Sequence, residues 1–94
     1  MMPESSTHHI LLYEYVEDMP AKRGPHREAH LAKIKAEQDA GHVTLAGALG
    51  NPPHSGAIVF VGVDQSHIEA FVADDPYVKA GLVTSRRIEP WRLV

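Results

Sequence analysis

The stretch Ala57-Ile58-Val59-Phe60-Val61-Gly62-Val63, AIVFVGV, carries neither a charged nor a polar side chain. It is too short for a buried helix and lacks the alternation of a half-exposed strand, so it reads as a β-strand covered on both faces. A second segment has the same character. Residues 8–16, HHILLYEYV, place Ile10, Leu12 and Val16 on one face and Leu11, Tyr13 and Tyr15 on the other. Two such runs belong in the middle of a sheet, and the remaining elements have to be arranged around them.

Between them, residues 17–25 contain Pro20, Gly24 and Pro25 and read as a loop. Residues 26–40 are helix-favouring, with Gly41 placed where the chain leaves the helix. Leu31 and Ile34 form a thin apolar stripe, so this helix packs with a partly polar face. Residues 42–49 read as a strand rich in small side chains, Ala46, Gly47 and Ala48, followed by a break at residues 50–56 that includes Pro52 and Pro53. Beyond the central strand, Ser66 and Glu69 have the spacing of a capping box that opens a second helix with Ile68, Phe71 and Val72 inward. Asp75 before Pro76 ends it, because a residue preceding proline avoids helical torsions. Residues 82–93 form a last strand whose Pro90 and charged Arg86, Arg87, Glu89 and Arg92 mark a sheet edge.

The order is βαββαβ. An α+β, ferredoxin-like fold with a four-stranded antiparallel sheet in the spatial order 4-1-3-2 puts the two apolar strands in the centre. Two helices cover one face only. The other face, expected to carry Leu11, Tyr13, Val59 and Val61 or their neighbours, then calls for a homodimer packed sheet against sheet. Tyr13 and Tyr15 are assigned first to dimer packing, with a pocket wall or a hydrogen bond as the alternative, and Trp91 to core or interface.

At 94 residues the chain is one domain, residues 1–94, with residues 1–7 a polar tail. Its net charge of −3, with basic residues scattered apart from Lys22-Arg23 and Arg86-Arg87, argues against a nucleic-acid partner. No cysteine is present, which excludes disulfides, thiol nucleophiles and cysteine-based zinc sites. The absence of a signal sequence and of any long apolar run argues against a membrane partner and points to a cytoplasmic protein.

Seven histidines stand out in so short a chain. His26 and His30, at i and i+4, have a spacing that can present two imidazoles to zinc, but nothing in the spacing places His42, His54 or His67 beside them. No metal site and no cofactor is assigned. His8 and His9 read as surface residues at a strand start. His30 has the better case for chemistry: it lies beside Leu31 and Ile34 at the border between the apolar stripe and solvent, where a carboxylate would fix its tautomer. Asp39 is nine residues along the same helix, about 13 Å away and about 180° around, and cannot reach. Asp75, held by Pro76 at the end of the neighbouring helix, is the stronger candidate.

Three segments carry a resemblance: Arg27-Glu28-Ala29-His30-Leu31; the run from Ala40 through Gly41 and His42 to Gly47; and Asp74-Asp75-Pro76-Tyr77-Val78-Lys79-Ala80-Gly81-Leu82, with Ile88-Glu89-Pro90-Trp91 closing the chain. In this order they resemble the YCII (YciI-like) family, whose members are dimeric α+β barrels built from ferredoxin-like subunits. The resemblance implies a His/Asp-centred site in a cleft. His30 and Asp75 are then the catalytic pair, and Arg27 and Tyr77 the substrate-binding residues. One enzyme type in that family removes hydrogen chloride from a chlorinated hydroquinone. Many relatives have Gly-Pro after the second strand, whereas here Gly47 is followed by Ala48, so the pocket mouth differs.

The expected function is a cofactor-independent lyase-type enzyme acting on a small cyclic or phenolic molecule by general acid/base chemistry. The alternative is a non-catalytic module that binds or senses a small molecule in the same cleft. A haem- or oxygen-dependent member of the barrel group ranks third.

Overall fold

The computed structural model describes residues 7–94. Most of the expected tail, residues 1–6, lies outside the described residues. Thr7 is tied in, since its carbonyl accepts from the Gly62 N–H at 3.1 Å.

The strands are β1 (His8–Tyr15), β2 (Val43–Leu49), β3 (Ser55–Val61) and β4 (Val83–Trp91). They form one antiparallel sheet in the order β2-β3-β1-β4, the expected arrangement with the apolar strands inside. The helices are α1 (Met19–Lys22), α2 (Gly24–Asp39), α3 (Gln65–Asp74) and α4 (Pro76–Lys79). The architecture is α+β and ferredoxin-like. None of the helices among the described residues is long and apolar enough to cross a membrane.

Two of these helices were not expected. Residues 17–25, read as a loop, fold into α1 and the first turn of α2. Pro20 and Pro25 each fall in a first turn, where the missing N–H removes no helical bond, so prolines that look like breakers act as starters. Met19 is fully buried and packs with Tyr77 and Leu82 in a small second cluster. Likewise Asp75 both ends α3 and begins α4. Its backbone is extended, as a residue before proline requires, while its side chain accepts from the Tyr77 N–H.

The start of α3 also differs from expectation. Asp64, not Ser66, is the N-cap, and its carboxylate accepts from the His67 N–H at 3.0 Å and from the Ser66 hydroxyl at 2.8 Å. An aspartate two residues earlier caps the free helix N–H groups in place of the expected Ser66/Glu69 box, and Glu69 accepts instead from Gln65.

The main core lies between the sheet and the helices. Leu11, Tyr13, Ile58 and Phe60 meet Ile34 of α2 and Ile68, Phe71 and Val72 of α3. Leu11 and Tyr13 therefore face the helices, and it is their strand neighbours that take the open face. The register pairs Leu11 with Ile58 and Ile10 with Val59, so the open face carries Ile10, Leu12, Ala57, Val59 and Val61. Leu45, opposite Val59, is 68% exposed. His8 and His9 are half-buried, with His9 opposite Phe60.

Candidate active site

Of the sixteen residues of α2, only His30 and Ile34 are buried. The thin stripe presses His30 against the start of α4, where Asp75 is fully buried. His30 Nδ1 lies 2.8 Å from Asp75 Oδ1. The same oxygen accepts from the Tyr77 backbone N–H at 3.0 Å, and Oδ2 accepts from the Tyr13 hydroxyl at 2.7 Å. Three donors from three elements therefore surround one carboxylate, the condition under which a negative charge is retained away from water. With Asp75 accepting, Nδ1 holds the proton of the neutral ring and the lone pair is left on Nε2.

The imidazole is fixed in a second way. It stacks on the Tyr77 ring with centroids 3.7 Å apart and planes 10° from parallel. Tyr15 stands edge-on to Tyr77 at 6.2 Å and tilted to Tyr13 at 6.4 Å. A ring held by a flat stack and a buried carboxylate has little freedom to rotate, which is the preorganisation that proton transfer requires.

The His30 imidazole and the three tyrosine rings line a cavity of about 510 Å³ between α2 and the sheet. His30, Tyr13, Tyr15 and Tyr77 form one wall, with Arg23 and Arg27 near them and Ala46, Gly47 and Ala48 opposite. The small side chains of β2, read from sequence only as a feature of the strand, leave the space. A volume of this size suits a single-ring compound.

The tyrosines stay neutral in ordinary buffers. Burial, then the charge of Asp75 and the hydrogen bond to it, push the Tyr13 phenol far above its usual range. Burial, with Tyr77 and Asp75 next, pushes Tyr15 up to about 12, against the opposing guanidinium groups of Arg23 and Arg27. Tyr77 is raised by burial and lowered again by the same two arginines.

Of the four residues singled out from sequence, His30, Arg27 and Tyr77 line the cavity, and Asp75 lies buried behind it, paired with His30. Among the described residues, His26 and His30 belong to no group of three candidate metal ligands. Two further contributors were not among the four. Tyr13 was assigned first to dimer packing with a hydrogen bond as the alternative, and its hydroxyl holds Asp75. Arg23 was read as part of a scattered basic pair, yet it lines the cavity, and its i, i+4 spacing to Arg27 was the available signal. Asp39 pairs with Lys35 on the surface.

Elsewhere, two histidines that spacing left apart are brought together. His42 Nδ1 lies 3.0 Å, and His67 Nε2 2.8 Å, from the same oxygen of Glu37.

A buried His–Asp pair beside a cavity lined by phenols and arginines is carried by a ferredoxin-like α+β chain. Residues 7–92 match the YCII-related domain, and the chain belongs to that family. Among solved structures it is similar to the 5-chloro-2-hydroxyhydroquinone dehydrochlorinase TftG from Burkholderia phenoliruptrix AC1100, determined in complex with 2,5-dihydroxybenzoquinone. The two share 18% identity over 93% of this chain and 95% of that one, with a TM-score of 0.77. It is also similar to protein Atu4242 from Agrobacterium tumefaciens, at 9% identity over 94% and 93% of the two chains and a TM-score of 0.61. At these identities the likeness is one of fold. No curated protein sequence matches the chain.

Proposed function

We propose that this protein is a small cofactor-independent enzyme of lyase type, acting in the cytoplasm as a homodimer on a phenolic or other cyclic metabolite. One observation carries the reading: His30 Nδ1 is bound to the fully buried Asp75, so the other ring nitrogen is directed to a substrate in a cavity the histidine itself lines. In the proposed step His30 Nε2 takes a hydroxyl proton from the substrate. That proton is the second to move: as another ring hydroxyl becomes a carbonyl, the carbon bearing X takes up its proton and becomes sp3. The O–H pair released by His30 then forms a second carbonyl, shifts a ring double bond and expels X−, so the net change is loss of HX. Asp75 stabilises the imidazolium that forms, and Arg23 and Arg27 stabilise the developing oxyanion.

TftG, similar in fold, is a dehydrochlorinase, which makes a chlorinated hydroxyhydroquinone the first substrate to try. The test is chloride release from 5-chloro-2-hydroxyhydroquinone by the wild type, His30→Ala and Asp75→Asn, with 2,5-dihydroxybenzoquinone binding measured in parallel. Catalysed release lost in both variants is the expected result. Binding with no chemistry on this or related phenols would replace the enzyme with a binding module. The homodimer is tested by light scattering, and a charge on the open face, Val59→Lys, is expected to yield monomers.

A further inference from the structure

The Glu37, His42 and His67 cluster lies outside the proposed active site. Glu37 is seven residues beyond His30, close to two helical turns and about 10 Å along α2. Three separate pieces of chain build the cluster. Glu37 stands in the last turns of α2. The helix then ends in a Schellman turn: Gly41, at φ 82°, donates to the Gln38 carbonyl, and the His42 N–H donates to the Glu37 carbonyl at 2.9 Å. This turn sets His42 back beside Glu37, and the Val61 N–H, donating to the His42 carbonyl at 2.8 Å, fastens it to the sheet. His67 comes from the first turn of α3, where Asp64 fixes its backbone.

We propose that Glu37, His42 and His67 form a binding site for one divalent transition-metal ion, with Zn²⁺ the representative ion. One ligand atom from each residue lies within 4.8 Å of the others, and two of the three separations are 2.8 and 3.0 Å. Ligands held about 2.0–2.1 Å from a tetrahedral zinc stand roughly 3.3 Å apart, so the Glu37 oxygen is already close to position and small rotations of the rings complete the triangle. Each neutral imidazole frees its ligating nitrogen by carrying its proton on the other nitrogen, and no unit of charge has to be lost. One carboxylate and two imidazoles make a mixed nitrogen and oxygen set that favours zinc, copper or nickel over magnesium or calcium. The side chains are 21–35% exposed, so an ion enters from solvent and the fourth position remains open to water. A bound ion would tie the end of α2, the start of β2 and the start of α3 to one point.

The alternative is a hydrogen-bonded staple, a carboxylate accepting two N–H groups without affinity for metal. Calorimetric titration of the full, tag-free chain with Zn²⁺ at neutral pH separates the two, using the wild type, Glu37→Gln, His67→Ala, His42→Asn and, as a control away from the cluster, His26→Ala. Circular dichroism establishes that each variant folds. Glu37→Gln keeps an oxygen that accepts both N–H bonds and loses the anionic ligand, so it spares a staple and damages a metal site. The expected result is one Zn²⁺ per chain with Kd of about 1 μM or below. Affinity should fall by more than about tenfold in Glu37→Gln and in whichever histidine variants fold, since losing even an outer-shell partner weakens metal binding about 10–100-fold. His26→Ala should bind as the wild type does. Co²⁺ should give the visible absorption of a four-coordinate ion in the wild type and not in Glu37→Gln. Binding absent up to about 1 mM Zn²⁺, or binding that Glu37→Gln leaves unchanged, overturns the site.

Discussion

The imidazole of His30 lies flat against the phenol of Tyr77, 3.7 Å between centroids, while the backbone N–H of Tyr77 donates to the Asp75 oxygen that meets His30 Nδ1. Tyr77 therefore fixes the pair twice, once through its ring and once through its main chain. Only the first of these depends on the identity of the side chain.

Asp75→Asn keeps an oxygen for the Tyr77 N–H and removes the charge that supports an imidazolium. Turnover on an accepted substrate is expected to fall about 10²–10⁴-fold, and urea unfolding is expected to show a loss of about 3 kcal/mol. Tyr13→Phe removes one donor from the buried carboxylate and should cost about 2 kcal/mol, with a much smaller loss of turnover. Equal losses of turnover in the two variants would move Tyr13 from support of Asp75 into the reaction itself.

Alkaline instability follows from the tyrosines. Tyr15 is raised from 10.0 to about 12 in the folded chain, and Tyr13 is raised further, while the unfolded chain ionises near the ordinary value. A folded-state pKa above the unfolded one gives a contribution that is complete below pH 10 and is lost as pH climbs toward the folded value. Unfolding free energy from urea titrations should thus decline between pH 10 and 12, and Tyr15→Phe should make the decline shallower. Tyrosinate absorbance of the native protein should lag that of the unfolded chain over the same interval.

Gly56 sits opposite Tyr13 in the β1–β3 register, and a Cβ there would run into the hydroxyl end of Tyr15. Gly56→Ala is expected to swing the Tyr15 ring, reshape the cavity wall and lower stability by about 1–3 kcal/mol. Affinity for 2,5-dihydroxybenzoquinone, read by fluorescence or calorimetry, should change while His30 and Asp75 remain paired.

The sheet was legible because β1 and β3 are apolar on both faces, and the ferredoxin-like order hides both. Which face met the helices was not, since a run such as ILLY offers an apolar residue at every position and period alone cannot choose. Asp75 could be singled out because Pro76 fixes the chain at that point. Tyr13 could not, because a tyrosine inside a strand looks the same whether its hydroxyl meets a carboxylate or a dimer partner. His42 and His67 are 25 positions apart, and only the Schellman turn and the cap at Asp64 bring them to one oxygen. The prolines of residues 17–25 misled for a local reason: the same residue stops a helix in its interior and suits its first turn.

Asp75 Oδ1 serves the first turn of α4 and the imidazole of His30 at once. Structural upkeep and reactivity are thereby vested in one atom, and a lineage could not refine either without exposing the other to selection. Attempts to redirect the pocket toward new compounds should start at its rim, with Arg23, Ala48 or Pro53, and leave that doubly obligated oxygen alone.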